Sequence, residues 1–266
     1  MLGFGSNSLI SDHGLEDHTI IWRGGDISLQ DETVVADAGV WWDDVVRFAI
    51  DHKLWGLELM SEIPGSVGGG IFGNIAAYGQ RLSDTLAWLD IYDHTRRRVT
   101  RVPATDIGFG YRESSLQSDL GRIILRAGFR LSQTKLHDLR YDAAIDTAKR
   151  LKLDYDSLSQ RRTIVVETRR QAGSIYHPNE PLSERTAGSF FKNPMVTVEQ
   201  AMELAGHDES GRTLERIMNQ NRIHGGSKHR VSAAHVLLAA GFNRGQVWGK
   251  VQLHPEHVLK LQTLEG

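Results

Sequence analysis

The chain has 266 residues, of which 40% are hydrophobic and 24% charged, a composition typical of a globular protein of one or two domains with a sizeable core. Its net charge of −2 provides no global field for nucleic acid or an anionic membrane, and its lack of cysteine excludes disulfides and thiolate metal sites. No apolar run approaches the about 20 residues that cross a bilayer. We therefore expect a cytoplasmic protein with neither nucleic acid nor membrane as a partner.

The first feature along the chain is a short glycine-rich loop, Gly3-Phe4-Gly5-Ser6-Asn7-Ser8. These residue types are also common in ordinary turns, so the loop alone is a weak signal. We call this feature the N-terminal glycine loop.

A strand is predicted over Thr33–Gly39, and an amphipathic helix over Trp42–His52 follows it, with apolar residues on one face.

A second glycine-rich segment, Ile63–Gly79, contains six glycines in seventeen residues, and we call it the central glycine loop. Glycine permits positive φ and removes the Cβ that holds a ligand away from the backbone. Successive backbone N–H groups in such loops form concavities that bind anions. Two such loops, both with hydroxyl side chains, together favour one shared site for a cofactor diphosphate.

Two other interpretations of the central glycine loop remain open. Gly68, Gly70 and Gly73 formally fit the dinucleotide pattern G-x-G-x-x-G, and Asp90 follows downstream. That pattern indicates a Rossmann unit only after a strand, and the Pro64-Gly65 pair interrupts the run that precedes it. The loop could also be a tight packing segment that binds no ligand, because glycine also marks turns and bulges.

Further along, strands and then helices are predicted. The patterns over Leu86–Tyr92 and Arg98–Val102 predict a hairpin, and Ile123–Leu131 is a further strand. From Tyr141 to about Arg170 the periodicity is near 3.6, which predicts helix.

A polar stretch with two prolines, Ser174–Thr186, is predicted as a loop that separates two domains. We place the domains at residues 1–182 and 183–266. In the second domain, helices are predicted over Val198–Ala205 and Ser232–Ala240, the latter ending at a glycine. The predicted class is α+β.

Several motifs together resemble one protein family, that of the UDP-N-acetylenolpyruvoylglucosamine reductases. The matching segments, in order, are Leu2-Gly3-Phe4-Gly5-Ser6-Asn7-Ser8-Leu9, Ile63-Pro64-Gly65-Ser66-Val67-Gly68-Gly69, Asn74-Ile75-Ala76-Ala77-Tyr78-Gly79, Phe109-Gly110-Tyr111-Arg112-Glu113-Ser114 and Ala187-Gly188-Ser189-Phe190-Phe191-Lys192-Asn193-Pro194. Their order and approximate spacing agree along nearly the whole chain. The resemblance implies an FAD-binding domain of the PCMH type, similar to vanillyl-alcohol oxidase, followed by a smaller α+β substrate-binding domain.

The resemblance also implies a reaction and a set of site residues. In the family, NADPH reduces bound FAD, and the flavin then gives hydride to UDP-N-acetylglucosamine enolpyruvate, which yields UDP-N-acetylmuramate for peptidoglycan. A monomer acting on this UDP-sugar is expected, with Tyr141 and Asn193 as substrate contacts and Arg112 and Ser189 as catalytic residues. The residues expected to bind the cofactor are Gly3, Gly5, Ser6, Asn7, Ser8, Pro64, Gly65, Ser66, Gly68, Gly69, Asn74 and Gly79.

The chemistry of the two catalytic candidates can be weighed from their residue types. A guanidinium is permanently charged and meets a carboxylate with a planar two-pronged face, which suits Arg112, although it could equally be a surface arginine in a turn. Ser189 matches the proton donor of the family, but a serine needs a relay or a nearby cation to act as an acid. Lys192 could be that neighbour, and Ser189 could instead simply begin a strand.

The chain also departs from the family pattern. It is expected to lack an N-terminal segment that supplies strands and a C-terminal segment that carries a glutamate, and we assign that role to neither Glu256 nor Glu265. Ala172 stands where many relatives have a lysine, which is expected to weaken phosphate binding. The histidines do not form a convincing metal site, and no metal is expected. Two alternatives stay open, a flavin oxidase of the same cofactor fold and a truncated, inactive remnant that binds flavin or UDP-sugar.

Overall fold

The computed structural model describes residues 1–16, 18–175, 186–207 and 229–264, and these form two compact units, Met1–Arg170 and Gln171–Gly266. The boundary expected between residues 182 and 183 lies outside the described residues, so the domain limits stay a prediction.

The first unit is built on a five-stranded antiparallel sheet with the strand order β1-β2-β9-β5-β6. Two small hairpins, β3-β4 and β7-β8, lie outside this sheet. The described strands of the unit are β1 (Ile27–Gln30), β2 (Thr33–Asp37), β3 (Ala76–Ala77), β4 (Gln80–Arg81), β5 (Leu86–Asp93), β6 (Arg98–Pro103), β7 (Phe109–Gly110), β8 (Glu113–Ser114) and β9 (Arg122–Arg130). The predicted hairpin is confirmed as β5-β6. The strands predicted over Thr33–Gly39 and Ile123–Leu131 are confirmed as β2 and β9.

The described helices up to Gln171 are α1 (Trp42–Asp51), α2 (Val67–Phe72), α3 (Asp142–Leu151) and α4 (Leu158–Gln171). The apolar face predicted for α1 is buried in the main core, where Trp42 meets Phe129 of β9 edge-on with ring centroids 5.8 Å apart. Trp42 also donates its indole N–H to the carbonyl of Met60 at 3.0 Å. The helical pattern after Tyr141 is confirmed as α3 and α4, which pack together in a second cluster around Ile164 and Val165.

A fully buried arginine ties α4 to the segment that precedes the central glycine loop. Arg161 donates to the Glu58 carboxylate at 3.2 Å and to the carbonyls of His137 and Tyr155 at 2.6 and 2.7 Å. Gln80 of β4 donates to the same carboxylate at 3.4 Å. Since a buried charge is tolerated only with bonded partners, this network constrains how these segments can pack.

The Rossmann interpretation of the central glycine loop is wrong. Residues Glu58–Met60, just before the loop, form a turn of 3₁₀ helix rather than a strand. The main sheet of this unit is antiparallel, whereas a Rossmann unit needs parallel strands joined by a crossover helix.

The described part of the second unit contains two helices and five strands, which form two antiparallel sheets. The helices are α5 (Val198–Gly206) and α6 (Ala233–Ala239), and the strands are β10 (Met195–Val196), β11 (His229–Arg230), β12 (Val247–Trp248), β13 (Val251–His254) and β14 (His257–Thr263). Both predicted helices are confirmed, and Gly241 follows α6 with φ +86° as a helix-ending glycine should. Strands β12, β13 and β14 form an antiparallel sheet that packs against α6.

Candidate cofactor site and catalytic residues

The two glycine loops lie against each other. The Ser6 hydroxyl donates to the Pro64 carbonyl at 3.0 Å. A Cβ added to Gly3 would come within 3.3 Å of the Ser66 hydroxyl oxygen, and one added to Gly65 would come within 3.3 Å of the Ser6 oxygen. Gly65 also has φ +131°, which side-chain-bearing residues rarely adopt.

The glycines of the central loop have two different tasks. Gly68 and Gly70 serve close packing, because an added Cβ would lie 3.1 Å from the Ala38 Cβ and 3.0 Å from Ile75. Gly69 instead faces the N-terminal loop, and its N–H donates to the hydroxyl of Ser66 at 3.1 Å. The packing interpretation thus describes part of the loop, while the face formed by Gly3, Gly65 and Gly69 is a bare cradle.

The rest of the N-terminal glycine loop is open. Its chain turns through a bond from the Ser8 N–H to the Gly5 carbonyl at 3.1 Å. Gly5 has φ +76° and nothing within 4 Å of an added Cβ, and Asn7 and Ser8 are exposed. Backbone and hydroxyl groups in this turn are therefore accessible to a ligand.

The end of the central loop is held by Asn74, a buried residue with φ 42°. Its amide donates to the Gly110 carbonyl at 2.9 Å and accepts from the Ser83 N–H at 3.2 Å. Gly79 lies in the two-residue turn that it shares with Tyr78 between β3 and β4, and both have positive φ. The Asn74 side chain thus joins segments of the protein, and its backbone N–H donates to the Ile71 carbonyl at 3.1 Å.

Arg112 is brought to the same loop by the hairpin β7-β8. It lies in the hairpin turn with φ 58°, is exposed, and donates to the Ala76 carbonyl at 3.3 Å. The hairpin is fastened to the end of α2, because Ser114 and Gln117 both donate to the Phe72 carbonyl, at 2.7 and 2.9 Å. A non-glycine residue held in the left-handed region carries strain of order 1–3 kcal/mol, which is typical of functional positions.

Tyr141 lies beside the Tyr78-Gly79 turn. Its ring meets that of Tyr78 edge-on, with centroids 5.4 Å apart. Burial raises the pKa of Tyr78, and the charge of Arg169 acts in the opposite direction. In the first unit the structure therefore brings together the two glycine loops, the Arg112 turn and Tyr141.

An ion-pair cluster supports the start of the central loop. Arg162 of α4 donates with both terminal nitrogens to Asp43, at 2.7 and 2.8 Å, and to Glu62 at 3.1 Å. Burial alone raises the pKa of Asp43, but its bonds from Arg162 and the Glu62 N–H outweigh this, and the pKa lies below its usual value. Burial and the charge of Asp43 raise the pKa of Glu62, against the pull of Arg162.

Ser189 and Asn193 belong to the second unit. Ser189 is exposed, and its backbone pairs with Lys260 of β14 in an antiparallel bridge, next to a bond from the Phe190 N–H to the Leu259 carbonyl at 2.8 Å. The Asn193 oxygen accepts the N–H of Ala233 at 3.0 Å and so caps α6. Ser189 therefore does begin a strand-like pairing, and Asn193 has a structural bond besides its expected substrate contact.

Two further residues of the second unit lie on or next to β14, the strand that pairs with Ser189. Lys260 is buried, with 4% of its surface exposed, and its ammonium donates to the Gly173 carbonyl. Glu256 lies exposed in the turn between β13 and β14 and offers a carboxylate in the same unit as Ser189. Only the pairing of Ser189 with β14 relates these residues, which are far apart in the sequence.

The residues of the first unit fit FAD, judged by the cradle itself. Bare backbone at Gly3, Gly65 and Gly69 is flanked by the hydroxyls of Ser6 and Ser66, and a Cβ at any of these glycines would crowd a hydroxyl. Backbone N–H groups and hydroxyls of this kind suit the oxygens of a diphosphate. In the described part of the chain, no cluster of three or more potential metal ligands occurs.

Comparisons with known proteins show what the chain is similar to. The family model described as "FAD binding domain" matches residues 1–100. A UDP-N-acetylenolpyruvoylglucosamine reductase of Thermobifida fusca is 31% identical over 280 residues, covering 100% of this chain and 76% of its own. UDP-N-acetylenolpyruvoylglucosamine reductase 2 of Corynebacterium glutamicum is 32% identical, covering 98% of this chain and 71% of its own.

The fold also has a solved counterpart. The crystal structure of UDP-N-acetylenolpyruvylglucosamine reductase from Thermus caldophilus matches with a TM-score of 0.63 and 21% identity, covering 98% of this chain and 73% of that one. The predicted α+β FAD-binding fold is thus confirmed. None of the helices in the described ranges is long and apolar enough to cross a lipid bilayer.

The FAD-binding family model and the relatives above 30% identity show that the chain is an FAD-dependent oxidoreductase. Since relatives above 30% identity align over nearly the whole chain, the chain belongs to the UDP-N-acetylenolpyruvoylglucosamine reductase family. This membership favours the reductase over the flavin oxidase that the glycine loops alone left open.

Proposed function

We propose that this protein reduces UDP-N-acetylglucosamine enolpyruvate to UDP-N-acetylmuramate, with NADPH as the electron source, during the synthesis of peptidoglycan precursors. Bound FAD would accept hydride from NADPH and supply it to the vinyl carbon of the substrate. The observation that carries the proposal is the Arg112 turn, which is fastened to the end of the central glycine loop by three side-chain bonds to Phe72 and Gly110. That arrangement holds the Arg112 turn at the end of the central glycine loop, where the exposed guanidinium donates to the Ala76 carbonyl at 3.3 Å.

The cradle is proposed to hold the cofactor mainly through backbone N–H groups and hydroxyls. The proposed FAD contacts are Gly3, Gly5, Ser6, Asn7, Ser8, Pro64, Gly65, Ser66, Gly68, Gly69, Asn74 and Gly79. Gly68 is proposed to contribute by packing against Ala38, and Asn74 by holding the end of the central glycine loop through its bond to the Gly110 carbonyl.

Arg112 is proposed to meet the substrate carboxylate. Hydride addition to an enolpyruvyl group leaves negative charge on the carbon beside the carboxylate, and a guanidinium held in place stabilises that charge without reorganisation. The backbone position of Arg112 is set by the hairpin turn, by its own bond to the Ala76 carbonyl and by the bond from Ser114 to the Phe72 carbonyl. Tyr141 and Asn193 are proposed as substrate contacts, and Asn193 would act through its amide N–H groups because its oxygen caps α6.

Ser189 is proposed to donate the proton that completes the reduction. Its exposed hydroxyl and its fixed backbone pairing with β14 support this role. The proposal also places the protein in the cytoplasm as a monomer, and light scattering of the purified chain tests the latter.

The test separates the two half-reactions under anaerobic conditions. The chain is titrated with FAD, reduced with NADPH, and then mixed with UDP-N-acetylglucosamine enolpyruvate while flavin absorbance is followed. We expect substrate-dependent reoxidation in the parental chain, and a loss of about 10²–10³-fold in that step for Arg112→Ala with FAD binding retained. Arg97→Ala is the matched control, because Arg97 is also exposed in a hairpin turn with φ 51°.

The alternatives give different results in the same experiment. Flavin that is reoxidised by oxygen but not by the enolpyruvyl substrate would favour an oxidase. Binding of FAD or UDP-sugar without turnover would favour the inactive remnant. Loss of FAD in Arg112→Ala would show that Arg112 belongs to the cofactor site rather than to the substrate.

A further inference from the structure

Lys260 is a buried residue whose backbone pairs with that of Ser189. The two residues form an antiparallel bridge, and only 4% of the surface of Lys260 is exposed. Residues directly opposite each other in an antiparallel pair point to the same face, with Cβ atoms about 4.5–5.5 Å apart. The stem of Lys260 therefore runs alongside the Ser189 side chain.

Burial of this lysine is unfavourable unless other interactions compensate for the lost hydration of its ammonium. Lysine is almost never fully buried, and an ammonium removed from water costs several kcal/mol before it regains bonds. The neighbours Val258 and Leu259 on β14 are buried apolar residues, so an apolar residue at 260 would suit the same core.

Positive charges act on His257, three residues before Lys260 on β14. Burial first, and then the charges of Lys260, His254 and Arg244, lower the pKa of His257 to about 4. The acidic group on this hairpin is Glu256, which is exposed in the turn. A positive field at the start of β14 is suited to stabilising negative charge on a neighbouring atom.

The ammonium also reaches a segment that departs from the family pattern. It donates to the carbonyl of Gly173, the residue after Ala172, and Ser174 bonds back to the Ala172 carbonyl at 3.2 Å. The Lys260 side chain therefore links β14 to the segment that follows α4.

We propose that Lys260 is a positioning residue for Ser189, whose charge supports proton donation by that serine. This inference rests on the proposed function. In the step, the electron pair on the substrate carbon forms a C–H bond with the Ser189 proton, and the O–H electron pair stays on the serine oxygen. The Lys260 ammonium stabilises the resulting alkoxide until water returns a proton to it.

The experiment compares Lys260→Met, Lys260→Arg and the parental chain, with Lys250→Met as a matched change at an exposed lysine of the same unit. Thermal unfolding, FAD content, flavin reduction by NADPH and anaerobic reoxidation by UDP-N-acetylglucosamine enolpyruvate are measured for each. We expect Lys260→Met to leave the rate of flavin reduction by NADPH nearly unchanged. The same variant should slow flavin reoxidation by about 10–100-fold, the effect of removing one neighbouring charge. Lys260→Arg keeps the charge and should remain within a few-fold of the parental rate.

Each other outcome overturns the inference. Parental reoxidation in Lys260→Met would show that the charge is not used. Equal impairment of the Met and Arg variants, a parallel loss of both half-reactions, or loss of folding in both variants would show a structural role only. If the parental chain itself is not reoxidised by the substrate, the proposed function fails first, and the inference fails with it.

Discussion

Replacement of Gly65 by alanine tests the cofactor cradle at the point where the two glycine loops touch. Gly65 has φ +131°, and an added Cβ would lie 3.3 Å from the Ser6 oxygen, whose bond to the Pro64 carbonyl joins the loops at 3.0 Å. A side chain in this backbone region costs about 1–3 kcal/mol, and loss of the hydrogen bond adds about 1 kcal/mol. Since FAD binding must restore the strained arrangement, these costs should appear in the FAD affinity.

A total of about 2–4 kcal/mol corresponds to an FAD Kd that is weaker by about 30- to 700-fold. The assay is a titration of apo-protein with FAD, followed by flavin absorbance, with thermal unfolding measured in parallel. Gly14→Ala is the matched control, because Gly14 has φ +78° but nothing within 4 Å of an added Cβ, and it lies outside the cradle. It should lower stability by about 1–2 kcal/mol and leave the FAD Kd unchanged. A parental FAD Kd for Gly65→Ala would refute the assignment of this loop contact to the cofactor.

Three further predictions concern stability. Arg161→Met should lower the free energy of unfolding by about 3–5 kcal/mol in urea titrations, because it leaves the Glu58 carboxylate buried without its cation. The double variant with Glu58→Met should recover part of this loss, and equal losses in both variants would contradict the reasoning. Gly128→Ala should cost about 1–3 kcal/mol and shift tryptophan fluorescence, because the new Cβ would lie 2.3 Å from the Trp88 ring; unchanged fluorescence would show that the ring does not cover this glycine. His257 has a pKa of about 4 in the folded protein, below its ordinary 6.5, so its contribution to the free energy of unfolding is complete above pH 6.5 and is lost as the pH falls towards 4. His257→Gln should therefore flatten the dependence of stability on pH in that window, and an unchanged slope would count against a buried neutral imidazole.

Much of the secondary structure could be predicted because periodicity reports which face of an element is buried. The pattern over Trp42–His52 predicted α1, and the same residues form the face of that helix that enters the core. The hairpin β5-β6 was predicted from two alternating runs around a polar turn, and the antiparallel register confirms it. These signals are local, so they can be recognised in a short segment without knowledge of the rest of the chain.

The candidate site was less predictable, because its geometry depends on contacts between distant segments. The residue type and motif of Arg112 were visible, but its bond to the Ala76 carbonyl and its anchoring at Phe72 were not. For Ser189, the sequence suggested Lys192 as the neighbouring cation, whereas strand pairing places Lys260 beside it. Strand partners are chosen by the fold, and sequence distance carries no information about them.

The sequence by itself determined the α+β class, the helices and strands with strong periodicity, the two glycine loops and the family to which their motifs belong. Motifs carry this information because glycine, hydroxyl and guanidinium groups have chemistry that does not depend on their surroundings. Only the tertiary structure decided which atoms of Gly3 and Gly65 meet the facing loop and that a buried lysine of β14 pairs with Ser189. The physical reason is that burial and adjacency arise when distant segments exclude water together, and no short stretch of sequence contains both partners.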